Sequence, residues 1–137
     1  MIKFVLCVLS LLLCVNSWAD LGSLKINSYL NQKLQAEINV TGASLVTPNM
    51  NTSVNLANMT QFNEYAVDYH YELGYLKFKI DRISNHDSKI IITSTKPISS
   101  PILDLLLEYK VGSVSYYRQY RIMLDPISSV NMDKIAI

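Results

Sequence analysis

Three titratable side chains spaced two residues apart are the group in this sequence best suited to bind a metal ion: Asp68, His70 and Glu72. On an extended segment they would point to one side and offer oxygen and nitrogen ligands to a divalent cation. A structural interpretation competes, in which the trio is only the solvated face of a strand. The buried face would then be formed by the alternate residues Tyr69, Tyr71 and Leu73. This structural interpretation is the stronger one, and the sequence predicts neither a metal nor another cofactor.

Nucleophilic or acid–base catalysis has little support in the remaining residues. The other histidine, His86, lies in the polar stretch 85–88, which is typical of a turn. Both cysteines, Cys7 and Cys14, fall in the apolar leader, and no G-x-S-x-G, H-E-x-x-H or glycine-rich phosphate motif occurs. Paired carboxylates could still meet in space, but the sequence singles out no pair. We therefore predict a protein that is not an enzyme.

Tyrosine is the one enriched residue type, and its nine copies include clusters at 65–75 and 109–120. Exposed aromatic rings beside an arginine can stack on a glycan or on a partner protein. The candidate binding residues are therefore Tyr116, Tyr117, Arg118 and Tyr120. Because Tyr117 has the opposite strand phase to Tyr116 and Tyr120, at least one ring should be exposed. The alternative is structural: half of the tyrosines fill the core and half stand on an outer sheet face.

The first 19 residues differ in composition from the rest: 15 of them are apolar, against 53 of the remaining 118. Lys3 precedes an apolar run, and Ser17-Trp18-Ala19 places small residues where a signal peptidase cuts. We predict a secretory signal peptide, residues 1–19, cleaved before Asp20. An uncleaved anchor is the weaker alternative, because the run is shorter than the roughly 20 residues that span a bilayer. No later segment is apolar enough to span, so no membrane span is predicted after cleavage.

Removal of the leader makes the chain electrically neutral. The loss of Lys3 leaves 11 of the 12 basic residues against 11 acidic ones. A neutral chain lacks the basic surface that nucleic acid or anionic lipid requires, so neither is a predicted partner.

Hydrophobic periodicity of two residues predicts an all-β fold. Four strands have one apolar and one polar face, at residues 34–40, 76–80, 103–109 and 116–124. Val111-Gly112-Ser113 lies between the last two and predicts a hairpin turn. Weaker strand candidates are 24–30, 54–57 and 89–93, and the isoleucine run in the last is predicted to be covered on both faces.

One stretch, 60–66, predicts a short helix capped by Thr60, with Phe62 and Ala66 on its buried side. Short strands at regular spacing without long helices indicate an antiparallel, immunoglobulin-like β-sandwich of about seven strands. We assign this domain to residues 20–126 and a loose C-terminal tail to 127–137.

Two stretches of the sequence resemble a known family, the N-terminal periplasmic domain of the FimV/TspA-type pilus assembly proteins. The first is 21–38, LGSLKINSYLNQKLQAEI, which is similar to that family's opening and contains Asn31, Gln32 and Glu37. The second comprises 101–109 and 120–126, which resemble the closing strands and the terminal D-P, with Asp104, Asp125 and Pro126. These family-motif residues are predicted to be structural, with Asn31-Gln32 satisfying the backbone of a turn.

The resemblance implies a periplasmic, cell-envelope role in type IV pilus assembly, type II secretion or polar organisation, exerted through contacts with an envelope protein. The larger family members continue into a peptidoglycan-binding LysM module, a transmembrane helix and a cytoplasmic region. This chain ends at Ile137, so the expectation is a free-standing version of the periplasmic head. The alternative function is a periplasmic glycan- or peptidoglycan-binding module that uses exposed tyrosines.

Overall fold

The computed structural model describes residues 20–41, 51–84 and 87–127. The predicted signal peptide, residues 128–137 of the predicted tail and the predicted turn at Asn85 and His86 lie outside these ranges.

Seven antiparallel strands form two sheets in the described part of the chain. The first sheet has the order β1-β2-β5-β4, from β1 (Asp20–Ile26), β2 (Lys33–Thr41), β4 (Leu76–Arg82) and β5 (Asp87–Pro97). The second has the order β3-β6-β7, from β3 (Thr52–Leu56), β6 (Ile102–Val111) and β7 (Val114–Met123). The chain therefore changes sheets after β2, β3 and β5, and the predicted β-sandwich is confirmed.

Alternating side chains of the two sheets form one core between them. In β2 the buried residues are Leu34, Ala36, Ile38 and Val40, and the residues between them are exposed or half-buried. In β6 the predicted inward set is buried, and Leu106, which has the opposite phase, is buried as well. Leu106 therefore requires cover on the outer face of the three-stranded sheet, which a strand alone does not supply.

The apolar residues of β4 are only half-buried. Leu76, Phe78 and Ile80 pack against the core as predicted, but β4 is the last strand of its sheet and has a neighbour on one side only. In β5, Ile90 and Ile92 are buried while Ile91 is half-buried on the outer face. The predicted cover on both faces of that run is therefore only partly present, and β5 extends four residues beyond the predicted end.

The short helix, α1 (Met59–Glu64), begins and ends earlier than predicted. Its N-cap is Asn58, whose side chain accepts the N–H of Gln61, so Thr60 is not the cap. Phe62 is fully buried as expected. Ala66 is exposed and has a φ of 53°, so its predicted place on the buried side is wrong: the chain has already left the helix.

The first strand lies earlier in the chain than the weak candidate at 24–30 and contains an irregularity. The pairing register with β2 shifts between Leu21 and Leu24, where a bulge inserts extra backbone. A Cβ added to Gly22 would stand 2.8 Å from the backbone oxygen of Asn39, so the close approach of the two strands requires glycine. Beyond Ile26 the chain turns away, and the predicted continuation to residue 30 is not strand.

The β6–β7 hairpin has the two-residue turn that the sequence predicts. Val111 and Val114 are paired, and Gly112 between them has a φ of 62°, a conformation that glycine adopts without strain.

Backbone hydrogen bonds join the loops at one end of the sandwich. At this end β1, β5 and β7 finish, and β2, β4 and β6 begin. We call this end the knotted-loop pole. Asn31 donates its N–H to the oxygen of Ile98 over 2.8 Å, and Leu30 donates to the oxygen of Asp125 over 2.9 Å. Leu124 donates its N–H to the oxygen of Pro101 over 2.8 Å. Connections from both sheets are therefore fixed to one another at this pole.

Candidate functional site

The predicted binding residues on β7 divide between its two faces. Tyr116, Arg118 and Tyr120 share one phase, opposite Tyr109, Leu107 and Leu105 of β6. Tyr117 has the other phase and lies opposite Glu108. The four side chains therefore do not form one continuous surface.

Two of these residues join the two sheets. Arg118 donates a hydrogen bond to the backbone oxygen of Leu21, and the Tyr120 hydroxyl donates to the oxygen of Gly22 over 2.9 Å. The Arg118 guanidinium also lies 5.1 Å from the centre of the Tyr120 ring. The acceptors are on the bulged part of β1, so side chains of β7 hold the open side of the sandwich closed.

The other two residues contact aromatic neighbours. Tyr116, which is 39% exposed, stacks on Tyr109 with the ring centres 4.9 Å apart. Tyr117 lies 5.6 Å from the ring of Tyr65, in the segment just after α1, which places that segment on the outer face of the three-stranded sheet. A hydrogen bond to the Glu108 carboxylate, together with desolvation, raises the pKa of the Tyr117 hydroxyl.

Removal of the Tyr120 hydroxyl is expected to weaken the sheet-to-sheet closure. The substitution Tyr120→Phe deletes one hydrogen bond and leaves the half-buried oxygen of Gly22 without that donor, which should lower the free energy of unfolding by about 1 kcal/mol. Urea denaturation followed by circular dichroism measures the change. The control is Tyr116→Phe, for which we expect a change within about 0.5 kcal/mol. Equal losses in the two variants would contradict the role assigned to Tyr120.

Asn31 and Gln32 form the turn between β1 and β2. Asn31 has a φ of 65°, which asparagine tolerates better than most residues. The Gln32 Oε1 accepts the N–H of Tyr29 over 3.0 Å, and the Gln32 backbone oxygen accepts the N–H of Ile98 at the same distance. This pair thus satisfies backbone groups of its own turn and of the β5–β6 connection.

The remaining motif residues are placed on the surface and at the end of the domain. Glu37 lies 3.2 Å from Lys89 and 3.9 Å from Lys25 on the outer face of the four-stranded sheet. Asp104 pairs with Arg121 over 2.9 Å across β6 and β7. Such exposed ion pairs contribute little stability. Asp125, followed by Pro126, contributes the backbone oxygen that Leu30 binds.

The extended segment assumed for Asp68, His70 and Glu72 is wrong. Tyr71–Tyr75 forms a 3₁₀ helix, so the three side chains do not share a face: Asp68 is exposed, His70 is half-buried and Glu72 is buried. The proposed buried face is wrong in part, because Leu73 is buried while Tyr69 and Tyr71 are exposed. Within the described ranges, no group of three or more His, Cys, Asp or Glu side chains could hold a metal ion.

Glu72 instead forms a buried latch, defined here as Glu72 with Ser99 and Ser100. Glu72 as a whole residue is 1% exposed. Oε2 accepts the N–H of Ser99 over 2.7 Å, and Oε1 accepts the N–H and the hydroxyl of Ser100 over 3.1 and 2.5 Å. Charge-assisted hydrogen bonds of this kind are the strong ones, so the latch fixes the 3₁₀ helix to the β5–β6 connection.

His70 completes the cluster without activating the serine. Its Nδ1 accepts the N–H of Glu72 over 3.2 Å, so the ring proton of the neutral imidazole lies on Nε2, 3.2 Å from the Ser100 oxygen. Nε2 therefore donates to Ser100, which in turn donates to Glu72. A general base must accept the proton of its nucleophile, and here the hydrogen bond runs in the opposite direction.

The latch should make stability depend on acidity. Burial raises the pKa of Glu72, but the hydrogen bonds from Ser100 and Ser99 outweigh burial and hold it below its ordinary value of 4.5. The unfolded chain therefore takes up a proton at higher pH than the folded one. The contribution is fully present above the unfolded pKa and is lost as the pH falls through the folded pKa.

We expect the wild type to lose more stability than Glu72→Gln when the pH is lowered from neutrality to about 3. The measurement is a series of urea denaturation curves across this range for both proteins. The glutamine variant does not titrate at this position and reports the effect of all other carboxylates. Parallel pH profiles would contradict the assignment.

The structure also reveals an aromatic group within the 65–75 cluster that the sequence analysis did not choose as a binding site. Tyr71, at 63%, has the largest exposed fraction among the large apolar side chains of the described residues. Its ring lies 6.1 Å from that of Tyr75 at an interplanar angle of 84°, and His70 stacks on it at 4.7 Å. The Lys96 ammonium stands 5.1 Å from the centre of the Tyr75 ring. The sequence showed this group only as part of the tyrosine cluster at 65–75, because the positions of its rings depend on the 3₁₀ helix.

The sequence of this sandwich matches a known protein family. The model of the FimV N-terminal domain, an Ig-like domain, matches residues 19–127. This range includes every strand and both sequence motifs. The chain belongs to the FimV N-terminal domain family.

Relatives of this FimV N-terminal domain include the motility hub protein FimV from two strains of Pseudomonas aeruginosa. Each is 34% identical over 111 residues, which cover 77% of this chain. The match corresponds to 11% of the length of each relative. No solved structure matches the chain significantly.

The family match spans the latch, the β7 residues and the Asn31-Gln32 turn of this FimV-type domain. In the parts of the chain that the structure describes, no helix is long and apolar enough to cross a membrane.

Proposed function

We infer that this chain is a non-catalytic periplasmic domain that works by binding a protein of the cell-envelope machinery for pili or secretion. The observation that carries this proposal is the family match across the entire sandwich, with relatives named as motility hub proteins. A hub acts through contacts with other proteins, so the domain at its start is a candidate for one of those contacts.

The chemistry of the side chains supports a binding role without catalysis. The buried carboxylate of Glu72 has its oxygens engaged by Ser99 and Ser100, and the Ser100 hydroxyl proton points at that carboxylate. Arg118 and Tyr120 are engaged by the backbone of β1. The polar groups that could have formed a reaction centre instead hold the fold together.

The periplasmic location follows from the leader proposed for residues 1–19, with cleavage before Asp20 and a folded domain over 20–126. N-terminal sequencing of the protein purified from the periplasmic fraction tests the cleavage site directly. A mature chain beginning at Asp20 is the expected result, and a protein that retains Lys3 in the membrane fraction would contradict it.

Crosslinking in living cells tests the proposed function. The full chain with a C-terminal tag is expressed in its host, treated with a membrane-permeant crosslinker and purified under denaturing conditions. We expect a pilus or secretion component among the crosslinked proteins. The matched control lacks residues 1–19 and so remains in the cytoplasm, where it should not capture that component. Capture of the same proteins with and without the leader would overturn the proposal.

Peptidoglycan or glycan binding is the second candidate, favoured by the partial exposure of Tyr116. The tyrosine and arginine set of β7 remains the predicted surface for this glycan role, with Tyr116 as its exposed ring. Isolated sacculi incubated with the purified chain provide the test. Retention that disappears in Tyr116→Ala would support the glycan role, and absence of retention would remove it.

A further inference from the structure

The exposed ring of Tyr71 and the half-buried ring of Tyr75 lie at the knotted-loop pole, where three lysines are also placed. We name Tyr71, Tyr75, Lys33, Lys77 and Lys96 the tyrosine–lysine patch. Lys33 pairs with Pro97, next to Lys96, and Lys77 pairs with Thr93. Three neighbouring strands, β2, β5 and β4, thus each contribute one exposed lysine at the same end of the sheet.

These three lysines form no ion pair with a carboxylate, whereas five other basic side chains of the described residues do. The ion pairs of the described residues use Lys25, Lys79, Lys89, Lys110 and Arg121. None of them uses Lys33, Lys77 or Lys96. Three ammonium groups without carboxylate partners at one end of the sheet attract an anionic partner.

The patch is rigid before any partner arrives. Tyr71 and Tyr75 are the first and last residues of the 3₁₀ helix, and Glu72 between them is held by two backbone N–H groups of the β5–β6 connection. Thr95, one residue before Lys96, contacts the backbone oxygen of Tyr75. Rings held in place lose little freedom on binding, which is why rigid tyrosines are effective anchors at interfaces.

The geometry of the rings favours a peptide over a sugar. Tyr71 and Tyr75 are nearly perpendicular, so they form a corner and not a flat platform on which a pyranose ring could lie. The one carboxylate between them, Glu72, is buried with its oxygens already engaged and cannot accept sugar hydroxyls. The Lys96 ammonium beside the Tyr75 ring, with Lys33 and Lys77 at the same end of the sheet, suits a chain that carries carboxylates beside apolar side chains.

We propose that the tyrosine–lysine patch binds an acidic segment of a partner protein, one in which Asp or Glu alternates with apolar or aromatic residues. This inference rests on the proposed function, and it names the surface and the partner chemistry that the function leaves open. The lysines pair with the carboxylates, and the corner between Tyr71 and Tyr75 takes up an apolar side chain.

A peptide array tests the proposal with the full chain, exported and purified. The array displays overlapping segments of the host's envelope proteins and is probed with the fluorescently labelled protein. The expected peptides are acidic and contain apolar residues, and their binding weakens as salt is raised. Tyr71→Ala and Lys96→Glu should each reduce affinity about tenfold or more, as truncation or reversal at an interface anchor does.

Matched variants separate this surface from the rest of the molecule. Lys110→Glu makes the same charge change on the other sheet, and Tyr116→Ala removes a half-exposed ring from β7. Both should bind the peptides like the wild type, and circular dichroism should show all four variants folded. Loss of binding in Tyr116→Ala but not in Tyr71→Ala would overturn the proposal in favour of the β7 surface.

The remaining outcomes distinguish failure of this inference from failure of the proposed function. Two outcomes overturn the proposed role of the patch and leave the proposed function standing. In the first, the array retains peptides that are not enriched in acidic residues. In the second, the array retains no peptide although an envelope protein is crosslinked in cells. Binding of sacculi that is lost in Tyr71→Ala assigns the patch to a glycan and overturns the peptide proposal. An empty array together with no crosslinked envelope protein removes both.

Discussion

Replacement of Glu72 by alanine is expected to lower the free energy of unfolding by about 3 kcal/mol. The substitution removes the acceptor for the N–H groups of Ser99 and Ser100 and leaves a small buried cavity. A donor that loses its acceptor costs about 1 to 3 kcal/mol where water cannot replace the acceptor, and both donors bind the same carboxylate, so their costs combine. Urea denaturation of the purified variant measures the loss.

Asp68→Ala is the matched control, because Asp68 is an exposed carboxylate only four residues away and should change stability by less than about 0.5 kcal/mol. The loss of stability in Glu72→Gln should lie between the losses in Glu72→Ala and Asp68→Ala. The glutamine keeps one oxygen acceptor but turns an amide N–H toward the donors of the latch. If alanine at position 72 proved as harmless as alanine at position 68, the latch would contribute nothing to stability.

Truncation of Phe62 is expected to have the largest effect on stability, a loss of about 3 to 5 kcal/mol in Phe62→Ala. Phe62 is the one buried side chain of α1, it has no exposed surface, and its ring meets that of Tyr69 edge-on at 5.4 Å. Its removal would leave a cavity beneath a helix of six residues that has no other buried anchor. Chemical denaturation is again the measurement.

The control for this helix is Met59→Ala, because Met59 is also apolar but 53% exposed and should be nearly neutral. Phe62→Leu keeps most of the buried volume and is expected to lose less than half as much as alanine, which keeps the test informative if Phe62→Ala does not fold. A loss below about 1 kcal/mol in Phe62→Ala would show that α1 is not anchored by this ring.

The strands could be predicted because each has one face toward solvent and one toward the core. Leu34 to Val40 alternates cleanly since β2 borders the core on one side only, and the same holds for most of β6. Leu106 breaks the alternation because the outer face of its sheet is also covered near α1, and periodicity cannot show which segment supplies that cover.

The latch could not be predicted because its partners are distant in sequence. Ser99 is 27 residues from Glu72. No local sequence pattern predicts that a carboxylate will be buried against two backbone N–H groups. Alternation suggested an extended segment around His70, but those hydrogen bonds instead stabilise a 3₁₀ helix, which turned Tyr71 outward and Glu72 inward. The strand candidate at 24–30 failed similarly, since the Tyr29–Gln32 turn depends on contacts with Ile98.

Asp125 meets Leu30 at the knotted-loop pole, so the last strand of the sandwich finishes at the same end as the tyrosine–lysine patch. A partner bound to the patch would therefore face the end of the domain at which the loops of both sheets are joined by hydrogen bonds. Its binding would need no rearrangement inside the two sheets.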